Sequence, residues 1–446
     1  MKRVFTALLV VVLLVGVLSA TALSYVNAAL QAVGDVNGDG RVNNRDLGYF
    51  QQYLNNGNTE GNNADVNGDD KVNNQDLGLL QQILNGEERV RMLSPIATYT
   101  NLGAPAAQYY PSNRLARCAW DMTVFGGRLY VGCGDYSKNP GAAPILSAPL
   151  SDPDSWTLEA TIPDEEIGRF VNINGVLTVP GYDPVGAPQM GSFYERVDGE
   201  WQQREVLPYG LHNFDIAWFQ GRMYAAIGAD RGEYPIAYTE DGVTYETLPL
   251  YKDGKPVDTT HSNVVRSANL YVLGDELYAD FWYEDETQAR AVFEMYHYNA
   301  AEDRFDYIAD LKTATHGGLY SVGNLPLWEK EAVNNRMFLT TGYLYYTTDF
   351  VTYTQVTMPQ DAVVYDMQAF GGRLYLLTAY ASGNQYKVNV YSTTAADPTD
   401  LRTEATYTYS LAPTAFAVDA NNFFIGMGNW NGTGASGNGT ILQLKR

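Results

Sequence analysis

Oxygen-bearing side chains recur at one fixed spacing in two segments that start thirty residues apart. In the first, Asp35, Asn37, Asp39, Asn43 and Asp46 fall at positions 1, 3, 5, 9 and 12 of a twelve-residue stretch, with Arg41 at position 7. The second repeats it with Asp65, Asn67, Asp69, Asn73 and Asp76, and Lys71 at position 7. A hard cation such as Ca²⁺ takes six to eight oxygens, and position 7 of such a loop supplies its backbone carbonyl. The basic side chains of Arg41 and Lys71 are therefore harmless, because only their main chain faces the ion. Asn, Asp and Gly also form ordinary turns without a metal. Two copies that share five ligand positions, the Leu-Gly that follows and a later Gln-Gln point instead to two bound ions.

A second set of candidates lies beyond residue 90. The motif that runs from Trp120 and Asp121 through Phe125 to Arg128, Leu129 and Tyr130 recurs from Phe214 and Asp215 to Tyr224, and again from Tyr365 and Asp366 to Tyr375. Counted eight before each Leu129 equivalent, the residues are Asp121, Arg169, Asp215, Asn269, Glu329, Asp366 and Ala415. Carboxylates and an arginine in one ring could supply an acid, a base and a substrate clamp, and glycoside hydrolysis needs two carboxyl groups about 5–9.5 Å apart. On that basis Asp121, Asp215 and Asp366 are the catalytic candidates. Their identical place in matching motifs also suits a residue that specifies the fold by bonding backbone in the neighbouring unit. His212, His261 and His316 each precede an inner strand of successive units, and imidazole is the commonest transition-metal ligand. A second metal held by them is an open alternative to solvated loop histidines. With 34 tyrosines against 16 phenylalanines, flat rings with polar tips are available to stack on sugars. The loop candidates are Tyr109, Tyr110, Tyr182, Tyr209, Tyr283, Trp328, Tyr380 and Trp430; blade packing accounts for most strand tyrosines.

These groups need two kinds of scaffold. Each calcium-type loop runs into a segment with Leu47, Phe50 and Leu54, or Leu77, Leu80 and Leu84, at offsets that share one helix face. After residue 90, seven units centred on Leu129, Leu177, Met223, Leu277, Met337, Leu374 and Phe423 recur every 37 to 60 residues. Each reads as a hairpin around a two-residue turn, then a third strand and a fourth with an aromatic start. Four strands per unit at this period predict a seven-bladed β-propeller. The last unit lacks its fourth strand, and residues 95–102 have the composition to complete it, which removes an exposed sheet edge.

The paired loop-helix segments resemble a type I dockerin, which likewise has no helix before its loop and Asp at position 12. The resemblance implies two Ca²⁺ ions and docking to a cohesin module of a scaffoldin or cell-surface protein. It also implies that Asn44, Arg45, Gln51 and Gln52 in the first copy, and Asn74, Gln75, Gln81 and Gln82 in the second, read that partner. Many members carry Ser-Thr and Lys-Arg there, so this chain is expected to choose a cohesin of different specificity. The near-identity of the halves lets either face the partner. The turns at Thr239–Tyr245 and Thr347–Tyr353 resemble the Asp-box hairpins of sialidase-like propellers, one residue short of the usual pattern. Arg128, Arg222 and Arg373 follow hairpin turns and do not form the arginine triad of a sialidase.

Lys2 and Arg3 precede an apolar run to Leu18, with small residues at Ala20 and Ala22, the pattern of a cleaved export signal over 1–22. The expected organisation is then a dockerin at 33–90 and a propeller at 95–446. No other stretch is long and apolar enough to span a bilayer. A net charge of −22 excludes a nucleic-acid footprint. Cys118 and Cys133 flank one hairpin, and either a disulfide, which export permits, or free thiols fit. The expectation is a secreted, scaffold- or cell-surface-associated component acting in polysaccharide degradation as a glycoside hydrolase or lyase. A propeller that binds carbohydrate or protein without catalysis is the alternative.

Overall fold

The computed structural model describes residues 36–37, 44–55, 64, 72–84, 95–186, 191–205, 210–262, 265–285, 290–311, 329–340, 342–429 and 434–446. The chain divides into two compact units, residues 1–96 and 97–446. The expected export signal lies outside the described residues.

In the first unit, helix α1 spans Asn44–Asn55 and helix α2 spans Asn74–Leu84. Phe50 and Leu80 are fully buried, and Val36, Leu47, Leu54, Leu77 and Leu84 pack around them. The offsets of three and seven residues thus become a shared core between the two helices. No described helix is long and apolar enough to cross a membrane.

The second unit is built from antiparallel four-stranded blades. The repeated motif folds as the innermost hairpin of its blade. Phe125 pairs with Arg128 and Phe370 with Arg373, and the turns are Gly126–Gly127 and Gly371–Gly372, all four at positive φ between 56° and 76°. Two consecutive left-handed residues are what a two-residue hairpin needs to match strand twist, and glycine adopts them without steric cost. At the second copy, Gln220 (φ 47°) and Gly221 (φ 83°) make the same turn.

The expectation of seven separate blades is corrected: five discrete four-stranded sheets form, beside one sheet of eleven strands. Two blades come from 121–162 and 171–205, and two more from 329–356 and 363–409. The fifth joins Ala412–Val418, Asn422–Gly428 and Thr440–Lys445 to the early strand Thr100–Asn101, with Thr100 opposite Gln443. In the eleven-stranded sheet, a run of four antiparallel neighbours from Gly210 to Thr247 and another from Leu270 to Asp310 are present. They are fused because Val265–Arg266 pairs on one side with Gly228–Ala229 and on the other with Tyr283–Trp282. A small hairpin, Leu250–Lys252 with Lys255–Pro256, adds parallel to Phe305–Asp306.

The closing strand is held beyond its two ladder pairs. Leu102 donates its N–H to Ile441 and Ile441 donates to Gly103, at 2.9 and 2.8 Å, while Tyr99 packs against Tyr407 and Tyr409. Each Asp-box-like turn caps itself. Asp241 accepts the N–H groups of Val243 and Thr244 and Asp349 those of Val351 and Thr352, which draws the Asp241 carboxyl down to about 2. Cys118 and Cys133 are free thiols, both fully buried. Burial pushes Cys118 up to about 12, so it stays protonated and inert.

Candidate functional site

Three places carry the sequence candidates: the loop-helix pair, the inner ring of strands, and the loops that gather where the first blades meet.

In the loop-helix unit, Asp35, Asp39, Arg41, Asn43, Asp65, Asn67, Asp69 and Lys71 lie outside the described residues. The two position-12 aspartates are described, and both are fully buried. Asp46 turns back to accept the N–H of Asn37 at 3.1 Å, and Asp76 accepts that of Asn73 at 2.9 Å. A carboxylate buried against its own loop is the donor geometry a hard cation wants, so these residues fit Ca²⁺. Asn44, Arg45, Gln51 and Gln52 on α1, and Asn74, Gln75 and Gln81 on α2, are exposed; the side chain of Gln82 lies outside the description. Tyr49, 54% exposed on α1, shares that surface and carries no motif that would have singled it out.

The inner ring gathers the catalytic candidates. Asp121 accepts the N–H of Phe170, Asp215 that of Leu270 and Asp366 that of Phe416, at 2.5, 2.8 and 2.5 Å. Each bond ties one inner strand to the next. Their charge environments differ sharply. Arg169 pairs with Asp215 at 2.9 Å, and Lys330 bonds both Asp215 and the Leu270 carbonyl. Burial would raise the Asp215 carboxyl, but these two cations more than offset it and hold it below the usual range. For Asp121 burial, then repulsion from Glu329, outweighs the Phe170 N–H and the charge of Arg169 and lifts it to about 7. Burial and the same neighbour, with Asp121 added, push Asp366 well up. Glu331, bonded to the Ala369 backbone, rises to about 8, again mainly through burial. Lys330 is brought down to about 8 by burial. Lys330 and Glu331 were missed in the sequence because only one residue per unit was counted.

Of the three histidines, the two that are described each keep partners of their own. His212 contacts the Tyr182 carbonyl at 2.9 Å and Asp183 at 3.6 Å and stacks on Phe214. His261 is exposed beside Asp258, and His316 lies outside the described residues. Among the described residues, no group of three or more His, Cys, Asp or Glu side chains is placed to hold a metal. The arginines after the turns have partners of their own: Arg128 with Glu159, Arg222 with Glu240 and Asp303, Arg373 with Ser392.

At the third place the sequence offered aromatics but not the carboxylates. Gly134 sits at φ 138°, where a Cβ would lie 2.3 Å from the Glu165 carbonyl. Only glycine lets the loop after Cys133 close on residues 164–166. That contact assembles Asp135, Glu165, Glu166 and Asp183. Glu166 is 6% exposed; burial, then repulsion from Asp135, Asp183 and Glu165, lifts it to about 8 against one N–H from Tyr136. Asp164 rises to about 6 through burial, although Tyr194 donates to it at 2.5 Å. An aromatic run crosses these loops: Tyr136 to Tyr182 at 5.5 Å, and Tyr182 to Phe214 at 5.4 Å. Beside it lies a pocket of about 430 Å³ lined by Tyr109, Tyr110, Asn113, Asp135 and Lys138 among others. Of the expected sugar-facing aromatics, Tyr109, Tyr110 and Tyr182 are therefore here; Tyr209, Trp328 and Trp430 are outside the described residues.

Residues 33–85 match the dockerin type I domain family, and the chain carries that domain. No curated protein is similar to the chain in sequence. Among solved structures, the polysaccharide lyase Uly1 is 6% identical with a TM-score of 0.42, covering 74% of this chain and 90% of its own. The β-propeller domain of the Trilobed protease from Pyrococcus furiosus is 12% identical at 0.38, covering 72% and 95%. Sqt1 of Saccharomyces cerevisiae is 11% identical at 0.39, covering 75% and 84%. At these TM-scores the likenesses bear on neither activity nor ligand.

Proposed function

We propose that this protein is a secreted component of a cellulosome-type assembly. Its dockerin domain docks to a cohesin on a scaffoldin or the cell surface, and its propeller works on polysaccharide. The observation that carries the first half is the dockerin match at 33–85, with both position-12 aspartates buried against their loops. In this reading two Ca²⁺ ions are held by Asp35, Asn37, Asp39, Arg41, Asn43 and Asp46, and by Asp65, Asn67, Asp69, Lys71, Asn73 and Asp76. The exposed positions from Asn44 to Gln52, and their equivalents on α2, form the partner face. Because a loop of this kind assembles around its ion, EDTA should abolish cohesin capture and lower helicity, and excess Ca²⁺ should restore both. Undiminished capture in EDTA would remove the assignment.

For the propeller, glycoside hydrolysis or lyase chemistry and binding without catalysis remain distinct readings. The backbone bonds accepted by Asp121, Asp215 and Asp366 favour a structural duty for all three, which supports the non-catalytic reading of the ring. A polysaccharide panel on the full chain, scoring binding and product release separately, tests it. We expect Asp121→Asn to leave both unchanged. A loss of product release above 100-fold in that variant, with its melting temperature retained, would return Asp121 to catalysis.

A further inference from the structure

In a chain with 51 acidic and 29 basic residues, a cation readily finds a carboxylate. Arg128, Arg196, Arg222 and Arg304 each do so. Arg114 and Lys138 do not: both are exposed, and neither forms an ion pair among the described residues. They line the same pocket of about 430 Å³, a volume within the range of small-molecule sites. Arg114 comes from the loop that leads into the first inner strand, and Lys138 from the loop that follows Cys133. Asp135 is the one carboxylate in the wall, so two cations stand against a single anion.

That carboxylate is spent on building the pocket. Asp135 is only 3% exposed. It accepts from the Asn113 amide at 3.0 Å and from the Ser137 hydroxyl and N–H at 2.6 and 3.2 Å. The same Asn113 accepts the N–H groups of Leu115 and Ala116 through its oxygen, so one side chain fixes the backbone on both sides of Arg114 and ties it to the opposite loop. Asn438, from the last blade, donates to the Arg114 carbonyl at 3.1 Å. Arg117 holds the crest by donating to the Tyr110 and Pro111 carbonyls at 2.8 and 2.7 Å. Lys138 closes a turn through its N–H to the Asp135 carbonyl at 3.1 Å. Both walls are therefore braced while the two charged side chains that they present are left for a ligand.

We propose that this pocket binds the anionic group of an acidic saccharide, a uronate carboxylate or a sulfate ester, with Arg114 and Lys138 donating to its oxygens. A guanidinium presents a planar fork that matches either oxyanion, and an ammonium adds a compact charge with three donors. Tyr109, half-buried in the same wall, offers the sugar apolar surface. A neutral glycan would use neither charge. Glu166, the deeply buried neighbour of Asp135, keeps its proton up to about pH 8 and so sets no charge against an anion at neutral pH. This assignment rests on the polysaccharide reading above and names the charge class of the saccharide.

The test is calorimetric titration of the full chain with an oligogalacturonate, a sulfated galactan oligosaccharide, neutral gluco- and xylo-oligosaccharides, and inorganic sulfate. Arg114→Ala and Lys138→Ala are measured beside the wild type, with melting temperatures as the fold control. Lys255→Ala, which removes an exposed cation from the small added hairpin, controls for net charge. We expect an acidic oligosaccharide to bind most tightly, to be weakened at least tenfold by Arg114→Ala and by Lys138→Ala, and to be unaffected by Lys255→Ala. Whether the oligogalacturonate or the sulfated galactan is the tighter identifies the anionic group. Equal weakening by all three variants, or none by either pocket variant, would overturn the site. Inorganic sulfate that binds as tightly as the acidic oligosaccharides would overturn its saccharide class. Preference for a neutral oligosaccharide would overturn the anionic subsite while the polysaccharide reading stands. No binding of any saccharide would overturn both readings.

Discussion

Asp121, Asp215 and Asp366 occupy one position in three copies of one motif, yet their chemistry diverges through neighbours that the motif does not contain. Asp215 meets Arg169 and Lys330, while Asp121 and Asp366 meet Glu329. What they share is the backbone N–H each accepts from the following inner strand, and that shared bond explains why the motif keeps an acidic residue there. The bond needs an acceptor and no charge. Asp366→Asn should therefore cost less stability than Asp366→Ala, because the amide oxygen can still receive the Phe416 N–H, although the amide NH2 then faces the Met367 N–H that the other carboxyl oxygen accepts. Asp366→Ala leaves that buried N–H unpaired and should cost about 1–3 kcal/mol. Urea midpoints of the two variants decide it; equal losses for Asn and Ala would show that the carboxyl group itself matters. The sequence motif made the position legible. Its environment was not, since Arg169 and Lys330 come from units 46 residues before and 115 residues after Asp215.

At the scale of elements, the alternating pattern and two-residue turns located the strands well. The third strand expected of each unit forms in one blade as Gln385–Thr393, and the fourth with an aromatic start forms in another directly after Trp156, as Thr157–Ile162. Closure by the early segment was equally readable, because a unit short of one strand must find it elsewhere. The fused sheet was not. Val265–Arg266 is two residues long, far too short to show a period, and its partners lie on both sides at long range. Periodicity reports which face of a strand is buried, but it does not report which edge that strand joins. The cluster around Glu166 escaped for a related reason. Asp135, Glu166 and Asp183 come from separate loops with no repeat among them, and the close approach of the first two is permitted by Gly134.

For the whole molecule, the unusual number of raised carboxyls gives stability a definite pH dependence. Asp164 lies at about 6, Asp121 at about 7, and Glu166 and Glu331 at about 8; Glu329 and Asp366 are raised as well. Burial is the first cause in each. In the unfolded chain such groups titrate near 4. Between about pH 4 and 8, the folded propeller thus keeps protons that the unfolded chain has released. Unfolding free energy must fall as pH rises through that window. Asp215 acts with the opposite sign, but its depressed value confines its loss to acid below the ordinary carboxylate range. Lys330, at about 8 when folded, restores stability only above pH 8, where the unfolded chain binds more protons. The melting temperature of the 97–446 unit, followed by calorimetry on the full chain, should accordingly be higher at pH 5 than at pH 8. Glu331→Gln, which cannot ionise, should flatten the decline. A melting temperature that rises from pH 5 to pH 8 would mean that the cations of the ring, Arg169 and Lys330, dominate its carboxyls, and that the inner ring is a net ion-paired structure instead of one strained by unshared negative charge.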